Sequence, residues 1–435
     1  MVAGLIPDCR ARRLPLAFFA LIVSIVSASN LDIAGARFGV QLGTMAAALG
    51  LLAASLNASK ADYDHYLRAS AWVRWSLFAI PGLIAVQLIP IPLALAHPIW
   101  TSAHDAVGGL PVGYVTADFG STLAALLLGL SAVSLIGVTI VVARNRSRAE
   151  LILFVLSGLT AVSALALDLS STLPALAGPA TIDGSTTLGG FGLVLNLAVM
   201  QLAAERAETH HALSRSIAIG LFGLVGTLIS AVAVFGLSST TNAIAAAFGV
   251  VLVLLILIIR RLDLSTIAAA SLSVAALAGA AIVLAFVFEK GSGTGVLRLV
   301  SELPVETRAG IERMLADTRW LGAGAGSFAA VGRIYQNDTA ALPTAPSTAV
   351  AIFADMGWIG LFASLAVAIA LLLRLFFGAL QRGRDSFFPA ASAGCVCLAL
   401  VNALAGPDLL RPTAILWLSA IVGLGLSQSV SQSSR

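Results

Sequence analysis

A glycine-rich turn flanked by arginines is the stretch of this chain whose residue types could do chemistry. It runs from Arg319 through Gly322, Gly324 and Gly326 to Arg333 and contains the letters GAGAGSF. Glycines let backbone amides approach an anion closely, and guanidinium groups bind phosphate through paired hydrogen bonds. The spacing predicts a diphosphate site. Two alternatives stay open: the small residues pack the turn on neighbouring helices, or the arginines form a solvated or lipid-contacting surface.

The composition shows what kind of structure must position these residues. Hydrophobic residues make up 59% of the 435-residue chain, charged residues only 11%, and the mean hydropathy is +0.98. This is too apolar for a soluble core, so the excess apolar surface must face lipid. Apolar runs of about 20 residues are the length that crosses a bilayer as a helix. The sequence therefore predicts an all-α membrane protein.

We expect one polytopic membrane domain over residues 1–435 with about twelve transmembrane helices. The net charge of +4 is explained by topology and does not indicate a nucleic-acid partner. The predicted spans are 14–29, 37–56, 72–90, 121–143, 149–168, 187–204, 215–236, 241–259, 264–288, 346–373, 387–405 and 411–428.

The basic residues predict the orientation of these spans. Seventeen of the 25 lie in loops on one side, only Arg37 and Arg411 lie in short loops on the other, and six lie in the long segment 289–345. Short cytoplasmic loops carry an excess of Lys and Arg. We therefore expect an inner-membrane protein with both termini in the cytoplasm. Residues 289–345, between the ninth and tenth predicted helices, then form one large periplasmic loop.

This large loop is predicted to contain a short amphipathic helix. Residues 302–317 place Val305, Ile311, Met314 and Leu315 at helical spacing. An apolar face at the end of a membrane protein needs a partner, and the membrane surface offers one. We expect this helix to lie across the outer membrane surface, with the glycine-rich turn packed against the helix bundle.

Residues 306–361 resemble the O-antigen ligase and Wzy-type polymerase superfamily of bacterial envelope glycosyltransferases. ETRAGIERMLADTRWLGAGAGSF is similar to that family's Arg-containing helix followed by a PLLGxGxGxF signature. TAPSTAVAIFADMGWIGL is similar to its HNxxLxxxxExGxxGL stretch, with Asp355, Gly357 and Gly360 at matching places. A long outer loop before the antepenultimate helix is also the layout of the family, and the resemblance covers most of the chain.

The resemblance implies transfer of a saccharide from a polyisoprenyl diphosphate carrier to an acceptor glycan or lipid, without nucleotide, metal or other cofactor. Fixed cations can stabilise the leaving diphosphate. By resemblance, the diphosphate ligands are the glycines of the turn, Gly322, Gly324 and Gly326, and the arginines Arg308, Arg313, Arg319, Arg333 and Arg411.

The chain departs from the family pattern at the histidine to which the role of general base is attached. The His-Asn pair falls on Pro346-Ser347, and a second histidine position falls on Asn402. Another proton acceptor is then needed. We predict His104, which lies with His97 in the outer segment 91–120, or Asp355. Asp338 is a further carboxylate, and both histidines have the alternative of a structural role at the membrane interface.

Two other functional classes remain open. A catalytically degenerate family member would bind a lipid-linked glycan or an envelope partner without transferring sugar. A secondary transporter would also suit twelve helices, although transporters commonly show paired repeats and midplane ionisable residues, and the sequence has no persuasive repeat. The sequence thus leaves enzyme, binding protein and transporter as hypotheses, in that order.

Overall fold

The structure is a computed structural model, and it describes residues 14–29, 36–108, 112–172, 185–208, 213–237, 240–262, 271, 305–318, 320–335, 345–383 and 385–430. The predicted ninth span 264–288 apart from residue 271, Arg319 and Asp338 lie outside these described residues. Arg308 belongs to a described helix, but its side chain lies outside the description.

Helices make up almost all of the described chain. A two-stranded antiparallel hairpin of Ile91–Pro92 (β1) and Val112–Gly113 (β2) pairs Ile91 with Gly113. The helices are α1 Pro15–Ser27, α2 Ala36–Asn57, α3 Lys60–Ser70, α4 Arg74–Gln87, α5 Pro98–Val107, α6 Phe119–Val142, α7 Arg146–Thr172, α8 Ser185–Glu208, α9 Leu213–Val232, α10 Thr240–Arg261, α11 Val305–Ala316, α12 Phe328–Tyr335, α13 Thr348–Gln381, α14 Phe387–Ala405 and α15 Pro412–Gln428.

The protein is a helical, multi-pass membrane protein. Within the described residues, eight helices are long and apolar enough to cross a membrane, and α3 with α4 would add a ninth crossing as a pair bent by 77°. The apolar helices α1 and α15 are shorter. Helices overlap eleven of the twelve predicted spans. The number of twelve crossings stays a prediction, because it counts 264–288 and the shorter helices.

Two helices form the centre of the bundle. About 78% of the spanning part of α8 and of α14 is buried, against 28% for α9, which therefore presents most of its surface to lipid. Small residues allow close packing at the centre: a Cβ at Gly249 of α10 would lie 2.8 Å from the Gly394 carbonyl oxygen of α14. Close backbone approach is how membrane helices gain contact where lipid removes the hydrophobic drive.

One end of the bundle is tied together by ion pairs and is called the basic end. Arg146 pairs with Glu150 at 3.1 Å and with Asp385 at 3.0 Å, and Glu150 also pairs with Arg206. Further pairs here are Asp62–Arg144 and Arg382–Asp385. Loops from four parts of the chain thus meet at one end, as the alternation of basic residues predicted. Helices α6 and α13 finish at this end and begin at the opposite one.

Candidate functional site

Helix α13 is interrupted near its start. Its first part is capped by Ser347, whose Oγ accepts an amide hydrogen bond from the first turn at 3.2 Å. The helical path stops at Gly357, which has φ 64° and ψ −164°, a region that is essentially restricted to glycine. The carbonyl groups of Ala354 and Asp355 are consequently free to accept hydrogen bonds from another segment.

The glycine-rich turn supplies those hydrogen bonds. Ala323 donates its amide to the Ala354 oxygen at 2.9 Å, and Gly324 donates to the Asp355 carbonyl oxygen at 2.8 Å. Gly322 has φ 69°, and a Cβ there would lie 2.3 Å from the Asp355 carbonyl carbon. Only glycine permits both the dihedral angle and the approach. The prediction that the turn packs against the helix bundle is confirmed.

Gln87, at the end of α4, holds the other side of the turn. Its side chain is fully buried. Nε2 donates to the carbonyl oxygens of Leu321 at 2.7 Å and Asp355 at 3.0 Å, and Oε1 accepts from the Ala325 amide at 3.0 Å. A single amide side chain thus connects the helix break, the turn and α4. We did not predict this role; a polar residue at the end of an apolar span was the available signal.

Thr116, in the segment between β2 and α6, completes the seat of the turn. A Cβ at Gly324, where φ is 109°, would lie 2.0 Å from Thr116 Oγ1. The Thr116 carbonyl oxygen accepts a hydrogen bond from Trp100 Nε1 at 2.7 Å. Trp100 lies on α5, so its indole fixes this short helix beside the turn. The outer segment 91–120 therefore belongs to the same site as the glycines.

The amides of the turn are engaged by the protein itself. Besides the three bonds above, Gly326 donates to Asp355 Oδ2 at 2.8 Å and Ser327 donates to the Gly324 oxygen at 3.0 Å. In this conformation the turn offers no row of free amides to an anion, and the glycines serve close packing. Diphosphate binding by Gly322, Gly324 and Gly326 therefore stays a prediction without support from the geometry.

Asp355 is the buried acidic group of the site. Only 5% of the residue is exposed, and the amides of Ser327 and Phe328 lie near the carboxylate that bonds to Gly326. These amides, at the start of α12, offset part of the cost of burying the carboxylate, because helix N-termini carry partial positive charge. Oδ1 is buried and has no hydrogen-bond partner among the described residues. Asp355 thus keeps one acceptor atom for another group.

A cavity of about 530 Å³ opens beside Asp355, within the range of roughly 300–1,000 Å³ usual for small-molecule sites. It lies between α5, the end of α11, the turn, α12 and the first part of α13. Its lining residues are His97, Pro98, Ile99, Ser102, Met314, Asp317, Thr318, Gly322, Ala323, Ser327, Phe328, Val331, Ile334, Tyr335, Ala354 and Asp355.

The two outer histidines differ in position. His97 lines the cavity and caps α5, because its Nδ1 accepts a hydrogen bond from the Ile99 amide at 3.3 Å. His104 lies further along α5, partly exposed, and is not among the described lining residues. The structure therefore brings His97 and Asp355 to one cavity and does not bring His104 there. A catalytic role for His104 stays a prediction that this arrangement does not favour.

The predicted arginines lie outside the cavity wall where the structure describes them. Arg313 is exposed on α11, with its Nε donating to a carbonyl one turn earlier at 3.2 Å, and Arg333 is exposed on α12. Arg411 pairs with Asp408 at 3.3 Å. Its segment reaches α13 through Thr348, whose amide donates to the Gly406 oxygen at 2.8 Å. These cations surround the same end of the bundle without converging on one point.

The residues at the positions where the chain departs from the family pattern have structural partners. Ser347 caps α13 and is buried. Asn402 is buried in α14, and its Nδ2 donates to Thr187 Oγ1 at 2.7 Å. Neither residue faces the cavity. The described cavity wall then offers Asp355, His97 and Asp317 as carboxyl and imidazole groups.

Comparison with known proteins gives no match: no protein-family model matches the chain, and no curated protein matches it significantly. The sequence basis for a function is therefore the set of motifs in residues 306–361. The structural basis is the cavity, where the glycine turn and Asp355 of those motifs meet.

Proposed function

We propose that this protein is a glycosyltransferase of the O-antigen ligase and polymerase kind. It transfers a saccharide from a polyisoprenyl diphosphate carrier to an acceptor hydroxyl at the periplasmic face of the inner membrane. The observation that carries the proposal is the cavity formed where the two resembling motifs meet. The turn and Asp355 are separated by about 30 residues and share direct hydrogen bonds, so the motifs act as one site.

The proposed orientation places the cavity on the periplasmic side. The basic end gathers Arg144, Arg146, Arg206 and Arg382, and clustered Lys and Arg mark cytoplasmic loops. Helices α6 and α13 run from the cavity to that basic end. The full topology has twelve crossings with 264–288 as the ninth, both termini in the cytoplasm, and the large loop 289–345 outside.

The chemistry assigned to the site is a displacement at the anomeric carbon of the carrier-linked sugar. The acceptor oxygen forms a bond to that carbon, the bond from carbon to diphosphate oxygen breaks, and the acceptor proton passes to a base. Asp355 is the preferred base, because this residue lines the cavity and its Oδ1 has no hydrogen-bond partner among the described residues; His97 lines the same cavity. The leaving diphosphate keeps the bonding electron pair.

Cations near the cavity stabilise the diphosphate as it leaves. The proposed ligands are the arginines around this end of the bundle, Arg308, Arg313, Arg319, Arg333 and Arg411. A charge-assisted contact of this kind contributes about 1.5–3 kcal/mol. Membrane lipid surrounds the carrier chain, and the reaction needs no nucleic acid, metal or nucleotide.

A catalytically degenerate family member is the second candidate, because Ser347 acts as a helix cap where the family has its histidine pair. Such a protein would bind the lipid-linked glycan or an envelope partner and leave it unchanged.

A strain that lacks the gene tests both candidates. The enzyme proposal expects loss of a surface polysaccharide and accumulation of its carrier-linked precursor. Complementation with Arg333→Ala or Arg319→Ala should then restore far less product than Arg298→Ala, and Lys at either position should restore it partly, since an ammonium lacks the planar fork. Asp355→Asn should not restore the polysaccharide, whereas His104→Ala should restore it. Normal product from all these variants supports the degenerate member.

A further inference from the structure

The described wall of the cavity beside Asp355 offers no lysine or arginine to a diphosphate. It contains the carboxyl groups of Asp317 and Asp355. The Asp317 carboxylate also accepts a hydrogen bond from the Tyr335 hydroxyl at 2.9 Å, so it stays at the wall. An anion at the described wall would meet the Asp317 carboxylate and no lysine or arginine. The described wall therefore favours a ligand that is neutral or positively charged on the part that enters.

Asp355 also specifies what that ligand must offer. Asp355 lines the cavity, and its Oδ1 is buried and has no partner among the described residues, whereas buried polar atoms in proteins are nearly always hydrogen-bonded. The group that satisfies it must be a donor, an O–H or an N–H. Beside it the wall is apolar, formed by Met314, Phe328 and Ile334, a surface that packs against the C–H face of a sugar ring.

We infer that this cavity binds the acceptor part of the reaction through a hydroxyl or ammonium donor to Asp355, and that the carrier diphosphate binds outside it. The name acceptor rests on the proposed function; the ligand chemistry rests on the cavity alone. An ammonium group, as in an amino sugar, is the better match, because it can donate a hydrogen bond to Asp355 and adds charge attraction to the Asp317 carboxylate. Arg313 and Arg333 are exposed and do not line the described wall, so they remain candidates for binding the diphosphate.

Protection of an introduced thiol tests the inference without requiring turnover. Ser102 lines the cavity on α5, and its neighbour Thr101 is exposed but does not line it. Ser102→Cys and the control Thr101→Cys are each made in full-length protein that carries Cys9→Ser. The native Cys395 and Cys397 are buried. The purified protein is alkylated with a maleimide in the presence of glucosamine, glucose or inorganic pyrophosphate.

The expected result is graded protection at Ser102→Cys. Glucosamine should slow alkylation more than glucose, pyrophosphate should have no effect, and Thr101→Cys should respond to none of them. Adding Asp355→Asn should weaken protection by glucosamine about tenfold or more, the loss expected for a hydrogen bond to a charged group. The amide keeps an oxygen for the Gly326 hydrogen bond. Asp105→Asn, an exposed acid of α5 outside the cavity wall, should change nothing.

Several outcomes overturn the inference. Protection by pyrophosphate would show an anion site, above all if Arg319→Gln removed it. Protection that is unchanged in Asp355→Asn, or absent with every probe although the protein is folded by size exclusion, would also overturn it. The proposed function can fail separately. If the strain that lacks the gene makes normal surface glycan while the purified protein is still protected by sugars, glycosyl transfer is refuted and the cavity assignment stands.

Discussion

Replacing Gln87 by leucine should destabilise the whole protein through one buried side chain. Leucine has a similar volume and no polar atoms. The substitution removes the three hydrogen bonds of the Gln87 side chain, which measure 2.7, 3.0 and 3.0 Å. The Asp355 carbonyl keeps its bond from Gly324, but the Leu321 carbonyl and the Ala325 amide lose the partner that Gln87 provides.

The magnitude follows from those two groups. A buried polar group that loses its partner costs about 1–3 kcal/mol, so Gln87→Leu should lower the free energy of unfolding by about 2–6 kcal/mol. Gln87→Glu should also destabilise, because a carboxylate would face two carbonyl oxygens. It retains an acceptor for the Ala325 amide, and the comparison separates the loss of donors from the loss of the acceptor.

Unfolding of the purified protein in mixed detergent micelles, followed by intrinsic tryptophan fluorescence, measures the effect. Gln41→Leu is the matched control, since Gln41 is exposed on α2 and the substitution adds an apolar side chain to an apolar helix. We expect its midpoint to equal that of the unchanged protein. Equal midpoints for Gln87→Leu and Gln41→Leu would refute the idea that Gln87 holds the turn in the helix break.

Three further outcomes are expected. Gly324→Ala should cost roughly 2–6 kcal/mol from backbone strain and overpacking, measured as a lower thermal midpoint, while Gly383→Ala, with open space around it, should be neutral. A reporter active only outside the cytoplasm should work when fused after Gly326 and be silent after Arg146; reversed signals would refute the orientation. A hydrogen bond from the Ser121 hydroxyl holds the pKa of Asp118 below its usual range. Ionised Asp118 therefore stabilises the fold at pH above its unfolded-state pKa of about 3.9. This stabilisation is lost as pH falls through the lower folded-state pKa. Asp118→Asn should flatten the acid limb of a plot of unfolding midpoint against pH, and an unchanged limb would contradict this.

Apolar runs of spanning length were sufficient to predict most of the described helices. The prediction 387–405 coincides with Phe387–Ala405, and 121–143 differs from Phe119–Val142 by a few residues. The amphipathic helix predicted over 302–317 is present as Val305–Ala316, within a window whose first residues lie outside the description. Such segments are predictable because lipid requires length and apolarity together.

Elements that pack beside the membrane helices were harder to predict. The polar helix α3 was missed, although Ser59 and Asp62 form a reciprocal capping box at its start, a signal readable from the sequence. Helix α5 was also missed, although a proline at its first position favours a helix start there. Both helices are too polar or too short to be recognised in the sequence as transmembrane helices.

The site itself depended on contacts that no local pattern reveals. The glycine turn was predicted as an anion cradle or a packing device, and only the break at Gly357 shows what the turn packs into. Asp355 was among the predicted residues and reaches the cavity. His104 was preferred to His97 because an aspartate follows it, but the helix that begins at Pro98 turns His104 away from the wall that His97 lines.

The hydrogen bonds of the Gln87 side chain also determine when the site can assemble during protein synthesis. The nearest partner of Gln87, the Leu321 carbonyl, lies 234 residues further along the chain. At about 5–20 residues per second, the ribosome needs roughly 10–50 s to reach that partner after α4 has emerged. Until then α4 carries a polar side chain with no native acceptor at its apolar end. The final assembly of the site therefore waits for the second half of the chain.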